Sequence, residues 1–376
     1  MYKVLVYGMG SVYGGIENVV MNYYRNIDSS KVHFDFICSV TEENKEIAYS
    51  SEIKQNGSNV YYLHSKFKKP LKHRKELINL FKAHATEYDC IWLNMSDLTD
   101  ISILKTAKKY GIKKIIVHSH NSRLMSVGIK KVIKLPMHYL NKLVIDKYAT
   151  DFWACSKVAQ EWLFPQKIYD RVEIIKNAIS INNKKFDIKK RNKLRKKYNL
   201  HNQYIIGHVG RLDFQKNQQL IIKIYNKVIK AIPDSKLIFV GAGKDYDNLK
   251  KQVNELGLEN NVMFVGVQKD IQAWYSLFDL FLFPSLFEGL SLALLEAQAN
   301  GIPVLTSNMV SPEEVKINNN LLVENLNSNL DTWVQDVINM HDNYKRLDID
   351  DIAYSFKKHG YEITEAAKRL QNLFLN

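Results

Sequence analysis

Cysteine is scarce in this sequence, with three in 376 residues. Cys38, Cys90 and Cys155 stand far apart, each in an apolar, strand-like segment. So odd and scattered a set makes neither a disulfide frame nor a zinc site. It reads as buried thiols in a reducing compartment. Long apolar runs are missing as well. No stretch of roughly 18 apolar residues occurs, so no membrane-crossing helix is expected. The opening residues, MYKVLVYGMG, enter a strand-like pattern at once, with too short an apolar run and no convincing cleavage site for a signal peptide. A cytoplasmic location is expected. There is no low-complexity stretch, and no Gly-Lys-Ser/Thr phosphate loop follows the first strand. Acids are nearly absent from residues 101–150, which hold eleven basic side chains and only Asp146.

That imbalance extends over half the chain. The formal net charge is +14. Residues 1–185 carry 29 Lys and Arg against 17 Asp and Glu, while residues 186–376 carry 24 against 22. A one-sided basic surface attracts polyanions or anionic lipid, and charge alone does not choose between them. At roughly 100–200 residues per domain the length suggests two domains. The 46% of hydrophobic residues is enough for two cores.

Short apolar runs alternate with helical patterns. KVLVYG (3–8), VHFDFIC (32–38), VYYLH (60–64), CIWLN (90–94), KIIVHS (114–119), FWACS (152–156) and VEIIKN (172–177) read as strands. The alternation restarts with YIIGHVG (204–210), KLIFVGAG (236–243), NVMFVG (261–266), LFLFPS (280–285), IPVLTS (302–307) and NLLVE (320–324). Such alternation predicts α/β architecture: two doubly wound parallel-sheet domains, residues 1–185 and 186–376. Between them, KKFDIKKRNKLRKK (184–197) holds nine basic residues and one acid, as a linker or an exposed helix. From about Asp351 the chain is helical in period and could pack on either domain.

Open α/β sheets bind ligands at the carboxyl ends of their strands. After the first strand comes GMGSVYGGIENVV, where Gly14 and Gly15 leave room for a substrate or phosphate at a helix N-terminus. It is no clean GxGxxG motif, since Tyr13 stands where the third glycine belongs. GRLDFQKNQQLI sets Arg211 and Lys216 across a strand-to-helix loop, two cations suited to a diphosphate. FPSLFEGLSLALLEAQANGIPVL sets Glu288 and Glu296 around a helix from Ser291 to Ala299. Were the whole interval helical, about 12 Å of axis would separate the two acids. That distance suits the ribose and hexose ends of a nucleotide-sugar. A carboxylate can accept both hydrogens of a diol, and the amides of Gly289, Leu290 and Ser291 are expected to face sugar oxygens or phosphate. Two Asp-x-Asp strings, Asp245 with Asp247 and Asp348 with Asp350, sit where a helix start and a chain end are expected, so no metal is called for.

These motifs resemble the GT-B glycosyltransferases of family 4, over nearly the whole chain. The E-x7-E signature falls on Glu288 and Glu296, the G-R-(5)-K loop on Arg211 and Lys216, and the glycine turn on GGIE. KNAIS is a degraded form of the N-G-hydrophobic-D turn, with Ala178 and Ser180 in place of Gly and Asp. The resemblance implies two facing Rossmann-like domains with a cleft between them. It also implies retaining, metal-independent transfer from a nucleotide-diphosphate sugar, with a UDP-sugar expected and no cofactor. Arg211 and Lys216 would hold the diphosphate, Glu296 the ribose and Glu288 the transferred sugar. His120, at the end of VHSHN, would reach that sugar, either positioning it or polarising a hydroxyl, with His118 as its neighbour. The expected acceptor is a glycan or polyprenyl-diphosphate-linked oligosaccharide of a bacterial capsule or exopolysaccharide. Basic amphipathic segments 65–82 and 123–147 would dock on the anionic inner face of the membrane. No nucleic-acid partner is expected. The competing readings are a nucleotide-sugar epimerase on the same scaffold and a non-catalytic polyanion or membrane-surface binder.

Overall fold

The computed structural model describes residues 1–11, 13–40, 46–66, 68–126 and 128–376. Val12 of the glycine turn, Phe67 of the first basic segment and Val127 of the second lie outside the described residues. The chain divides into two compact units, Met1–Ala178 with Ile363–Asn376, and Ile179–Glu362.

The first unit is built on seven strands: β1 (Tyr2–Tyr7), β2 (Val32–Val40), β3 (Val60–His64), β4 (Cys90–Met95), β5 (Lys114–Ser119), β6 (Asp151–Ala154) and β7 (Val172–Ile174). Their order is β3-β2-β1-β4-β5-β6-β7, with every pairing parallel. The central β4 is buried from end to end, as strands covered on both faces must be. Val6 of β1 lies level with Phe36 on one side and Trp92 on the other.

The last helix, Ile363–Leu375, belongs to this unit. It buries Ile363, Ala367, Leu370 and Phe374, a single stripe at helical spacing. The Phe374 ring meets Phe34 and Trp92 at 5.6 Å and Trp153 at 5.3 Å. Lys114 Nζ donates to the Leu373 carbonyl at 2.6 Å, satisfying one of the acceptors a helix end leaves over.

The second unit has six strands: β8 (Tyr204–Val209), β9 (Ser235–Val240), β10 (Val262–Phe264), β11 (Leu280–Phe283), β12 (Val304–Ser307) and β13 (Leu321–Glu324). They run parallel in the order β10-β9-β8-β11-β12-β13. Ile206, Phe239, Leu282, Tyr225 and Trp333 fill its core. The basic run forms a helix, Ile188–Lys197, with no buried residue. Asp187 caps it by accepting from the Lys190 amide. Arg191 and Arg195 pin it to Asp279 at 2.6 and 3.0 Å, so it packs within the unit.

In both sheets the strand order reverses in the middle, between β1 and β4 and between β8 and β11. Loops leaving the carboxyl ends of those strands diverge and leave a crevice, the usual ligand position in open α/β sheets. The glycine turn follows β1. The Arg211–Lys216 loop follows β8, and the Glu288 loop follows β11.

Candidate functional site

Two glycines let the second unit's loops approach closely. Gly241 has φ +136, and a Cβ there would stand 2.0 Å from the Gly210 carbonyl. A Cβ on Gly243 would stand 2.2 Å from the Leu212 carbonyl. Beyond Gly210 the chain makes a single 3-10 turn, Phe214–Lys216, and leaves it through Asn217 at φ 55. Asparagine is one of the few residues that tolerates this left-handed conformation.

The β8 and β11 loops are fastened side by side. The Leu286 amide donates to the Gln215 carbonyl at 2.8 Å, and Gln215 Nε2 donates to the Phe287 carbonyl at 2.9 Å. Asn217 Nδ2 donates to the Pro284 carbonyl at 3.1 Å. Lys216 sits between these two anchors, which aims its side chain. Lys216 Nζ meets Glu288 Oε1 at 2.7 Å and lies 4.8 Å from the centre of the Phe283 ring. Ser285 Oγ donates to the same Oε1 at 2.6 Å. No hydrogen bond from a described residue reaches Oε2 of Glu288. Both members of the pair are largely out of water, with side chains 14% and 8% exposed. A charge pair so placed interacts strongly, because little solvent screens it.

Arg211 is placed differently. Its side chain is 62% exposed, and Nε meets Asp213 Oδ2 at 2.7 Å. Asp213 is buried, so it orients the base of the guanidinium while the rest reaches outward. The structure therefore puts Lys216 and Glu288 in direct contact and leaves Arg211 projecting from the same loop.

Glu288 does not begin the helix. The helix runs Leu292–Ala299 with Ser291 as N-cap, and Glu288 lies in the loop before it. An all-helical interval between the two acids is thus replaced by half loop, half helix. The expected axial distance does not apply, because the chain is not helical over Gly289–Ser291. The Ser291 side chain makes no cap hydrogen bond, and Leu290 and Ser291 are buried.

Glu296 lies within the helix. Lys184 Nζ holds its Oε1 at 2.6 Å, and the Tyr275 hydroxyl donates to its Oε2 at 3.1 Å. Burial and the Glu296 charge push the Tyr275 hydroxyl well above its usual pKa, so it stays a donor. Both oxygens of Glu296 thus have partners in the protein, whereas Glu288 is held through one. Spacing alone signalled neither Lys184 nor Tyr275, since both reach Glu296 from distant segments.

In the first unit the glycine turn leads into a helix, Gly15–Tyr24, with Gly14 as N-cap. A Cβ on Gly15 would meet nothing within 4 Å, so the protein's own packing does not require glycine there. Glu17, in the first helical turn, accepts from the Gly10 amide at 2.7 Å. The N-terminus already has a carboxylate beside it, which makes it a weaker anion cradle than its glycines suggest.

At the β5 end, His118 and His120 point to one side, with ring centres 4.0 Å apart. His120 Nε2 bonds Asn94 Oδ1 at 2.7 Å. Asn94 Nδ2 donates to the Tyr7 carbonyl at 3.2 Å, which fixes the amide's orientation. His120 therefore carries its proton on Nε2 and presents Nδ1 as an acceptor. Burial pushes His120 down to about 3, so it stays neutral at physiological pH. Trp92 Nε1 donates to His118 Nδ1 at 3.3 Å, and His118 Nε2 is left without a partner. Asn94 was not anticipated from the sequence. Its signal was a polar residue closing the otherwise apolar run CIWL.

Among the described residues, no group of three or more His, Cys, Asp or Glu could hold a metal ion. Asp245 and Asp348 each stand at the N-cap of a helix, Tyr246–Glu255 and Ile349–Lys358. No helix of the described residues is long and apolar enough to cross a membrane.

Residues 190–351, inside the second unit, match the family described as Glycosyl transferases group 1. The "Putative glycosyltransferase EpsF" of Bacillus subtilis is 29% identical over 306 residues, 79% of this chain and 77% of that one. An Escherichia coli protein named UDP-Gal:alpha-D-GlcNAc-diphosphoundecaprenol alpha-1,3-galactosyltransferase is 25% identical over 320 residues, 81% of this chain and 80% of that one. The crystal structure of Anabaena HepE in complex with UDP-glucose shares the fold over 100% of both chains, with a TM-score of 0.80 at 18% identity. With the Lys216–Glu288 loops lying inside the matched segment, the chain is a glycosyltransferase whose second unit is similar to the group 1 glycosyl transferases.

Proposed function

We propose that the chain moves a sugar from a UDP-sugar to a glycan or polyprenyl-diphosphate-linked acceptor in the assembly of a bacterial surface polysaccharide. Transfer retains the anomeric configuration and uses no metal. The observation that carries this reading is the Lys216–Glu288 pair at 2.7 Å, with Oε2 of Glu288 taking no bond from the described protein. The cation takes the diphosphate, and Oε2 takes hydroxyl hydrogens of the transferred sugar. Arg211 reaches out to the same diphosphate, and Glu296, steadied by Lys184 and Tyr275, accepts from the ribose. The amides of Gly289, Leu290 and Ser291 lie next to Glu288 for the remaining oxygens.

As the glycosidic bond breaks, negative charge grows on the leaving diphosphate. Fixed cations aimed at that charge favour the transition state over the ground state. His120, neutral and held by Asn94, accepts from a sugar hydroxyl through Nδ1. So weak a base positions that hydroxyl and does not remove its proton. Gly14 and Gly15 leave space for the substrate.

The names of the relatives support this reading: the E. coli protein's gives UDP-Gal and a diphosphoundecaprenol-linked acceptor, and the Anabaena structure holds UDP-glucose. Segments 65–82 and 123–147 hold the chain at the inner face of the membrane. Glu288→Gln tests the reading. It should lower turnover at least a hundredfold, in line with the loss of a charged transition-state contact, while UDP still binds. Full turnover in that variant would refute the assignment, and an inverted product would refute retention.

A further inference from the structure

The first unit contains two neighbouring cavities that the donor chemistry does not use. The larger, of 740 Å³, lies among the helices Pro70–His84, Ser102–Lys109 and Ile129–Lys142. Arg74, Lys105 and Lys109 bring cations to it, and Leu77, Ile133 and Met137 bring apolar surface. Asp100, the one acid among its described lining residues, is paired with Lys66 at 3.2 Å. The second cavity, of 410 Å³, shares Lys66, His73, Thr99, Asp100 and Ser102 with the first. It continues to Gly8 and to Asn94, the residue that holds His120.

Helix Ile129–Lys142 forms one wall of the larger cavity. It buries only His138. His138 accepts from the Leu98 amide at 3.0 Å and bonds the Trp162 carbonyl at 3.1 Å, which anchors the helix. Ile129, Val132, Ile133 and Leu140 share one face at helical spacing and are 60 to 72% exposed. Such a stripe in water marks a surface that something apolar covers.

We propose that these cavities and this stripe form one site for a long-chain lipid diphosphate. The diphosphate rests on Arg74, Lys105 and Lys109, and the chain lies along Ile133, Met137 and the exposed stripe. The head group enters the second cavity toward Asn94. The inference rests on the transferase reading and names where its acceptor sits. A free anion would use the cations and leave the stripe bare. A bare anionic membrane surface would use the stripe and the lysines, but not a cavity that runs inward to Asn94. An anionic amphiphile uses all three.

The test is flotation of the 376-residue chain with phosphatidylcholine vesicles containing a polyprenyl diphosphate. The control vesicles carry the same charge as phosphatidylglycerol. Binding to the first should be at least tenfold tighter. The triple variant Arg74→Ala, Lys105→Ala, Lys109→Ala, all at exposed positions, should lose that preference and keep the thermal shift produced by UDP. Ile133→Ser with Met137→Ser should weaken binding to both vesicles. Equal binding to the two vesicles, or an undiminished preference in the triple variant, would overturn the proposal. So would inorganic diphosphate binding as tightly as the lipid, since the chain would then contribute nothing. A UDP shift without lipid preference removes this inference alone. Lipid preference without any UDP shift leaves the lipid site standing and removes the UDP-sugar donor from the proposed function.

Discussion

Lys216 and Glu288 neutralise each other in a part of the molecule that water hardly reaches. Removing one partner leaves the other charged and nearly buried. Lys216→Ala should therefore cost about 3 kcal/mol of stability, measured as a lower urea midpoint, besides weakening the donor. Arg211→Ala should behave differently. That side chain is mostly in solvent, so stability should change by no more than about 0.5 kcal/mol. UDP affinity, however, should fall by about tenfold to a hundredfold, the worth of a charge-assisted bond, as read by calorimetry. Arg211, Lys216, Glu288 and Glu296 were legible in the sequence because each follows a strand at a readable spacing. Lys184, Tyr275, Ser285 and Asn94 were harder to read. Ser285 acts on Glu288 from three residues away, whereas the others act through partners distant in sequence, Lys184 and Tyr275 reaching Glu296 from segments before and after β8 in the chain.

The elements that carry these residues were visible as apolar runs, because strands buried on both faces need near-continuous hydrophobicity. Their ends were less legible. The helix after Glu288 begins at Leu292, with three residues intervening, and the first half of the loop before it is fastened to Gln215 through Leu286 and Phe287. Most of the basic run 184–197 forms the helix Ile188–Lys197, tied down by Asp279, a pairing that charge counting does not show.

Two strand ends and the helix Ile129–Lys142 also hold imidazoles withdrawn from water. Burial pushes His120 and His208 down to about 3 and His138 to about 4, and His118 lies well below its usual value from burial and the neighbouring His120. In the unfolded chain each titrates near pH 6.5. Below that pH the unfolded chain takes up protons that the folded chain refuses. Stability is therefore full above about pH 6.5 and falls as pH drops toward 4, with each imidazole adding up to about 1.4 kcal/mol per pH unit. Urea midpoints at pH 7 and pH 5 should show the loss. A midpoint that rose on acidification would contradict the burial of these rings.

At the scale of the whole molecule, the first unit is completed by the last stretch of chain. Phe374 closes an aromatic cluster with Phe34, Trp92 and Trp153. Phe374→Ala should cost about 3–5 kcal/mol, read as a lower unfolding midpoint by Trp92 and Trp153 fluorescence. The helical period from Asp351 was readable, but not which unit it would join, because an amphipathic stripe does not name its partner. The uneven charge was equally plain and equally mute. Among the described residues, the exposed stripe of helix Ile129–Lys142 gives the basic half an apolar edge.

The account stands on the second unit's cation seating the donor diphosphate beside Glu288. Calorimetric titration of UDP into the wild type and into Lys216→Ala, at equal ionic strength, measures this directly. The account predicts at least tenfold weaker binding in the variant. Equal affinity in the two proteins would place the diphosphate elsewhere and contradict it.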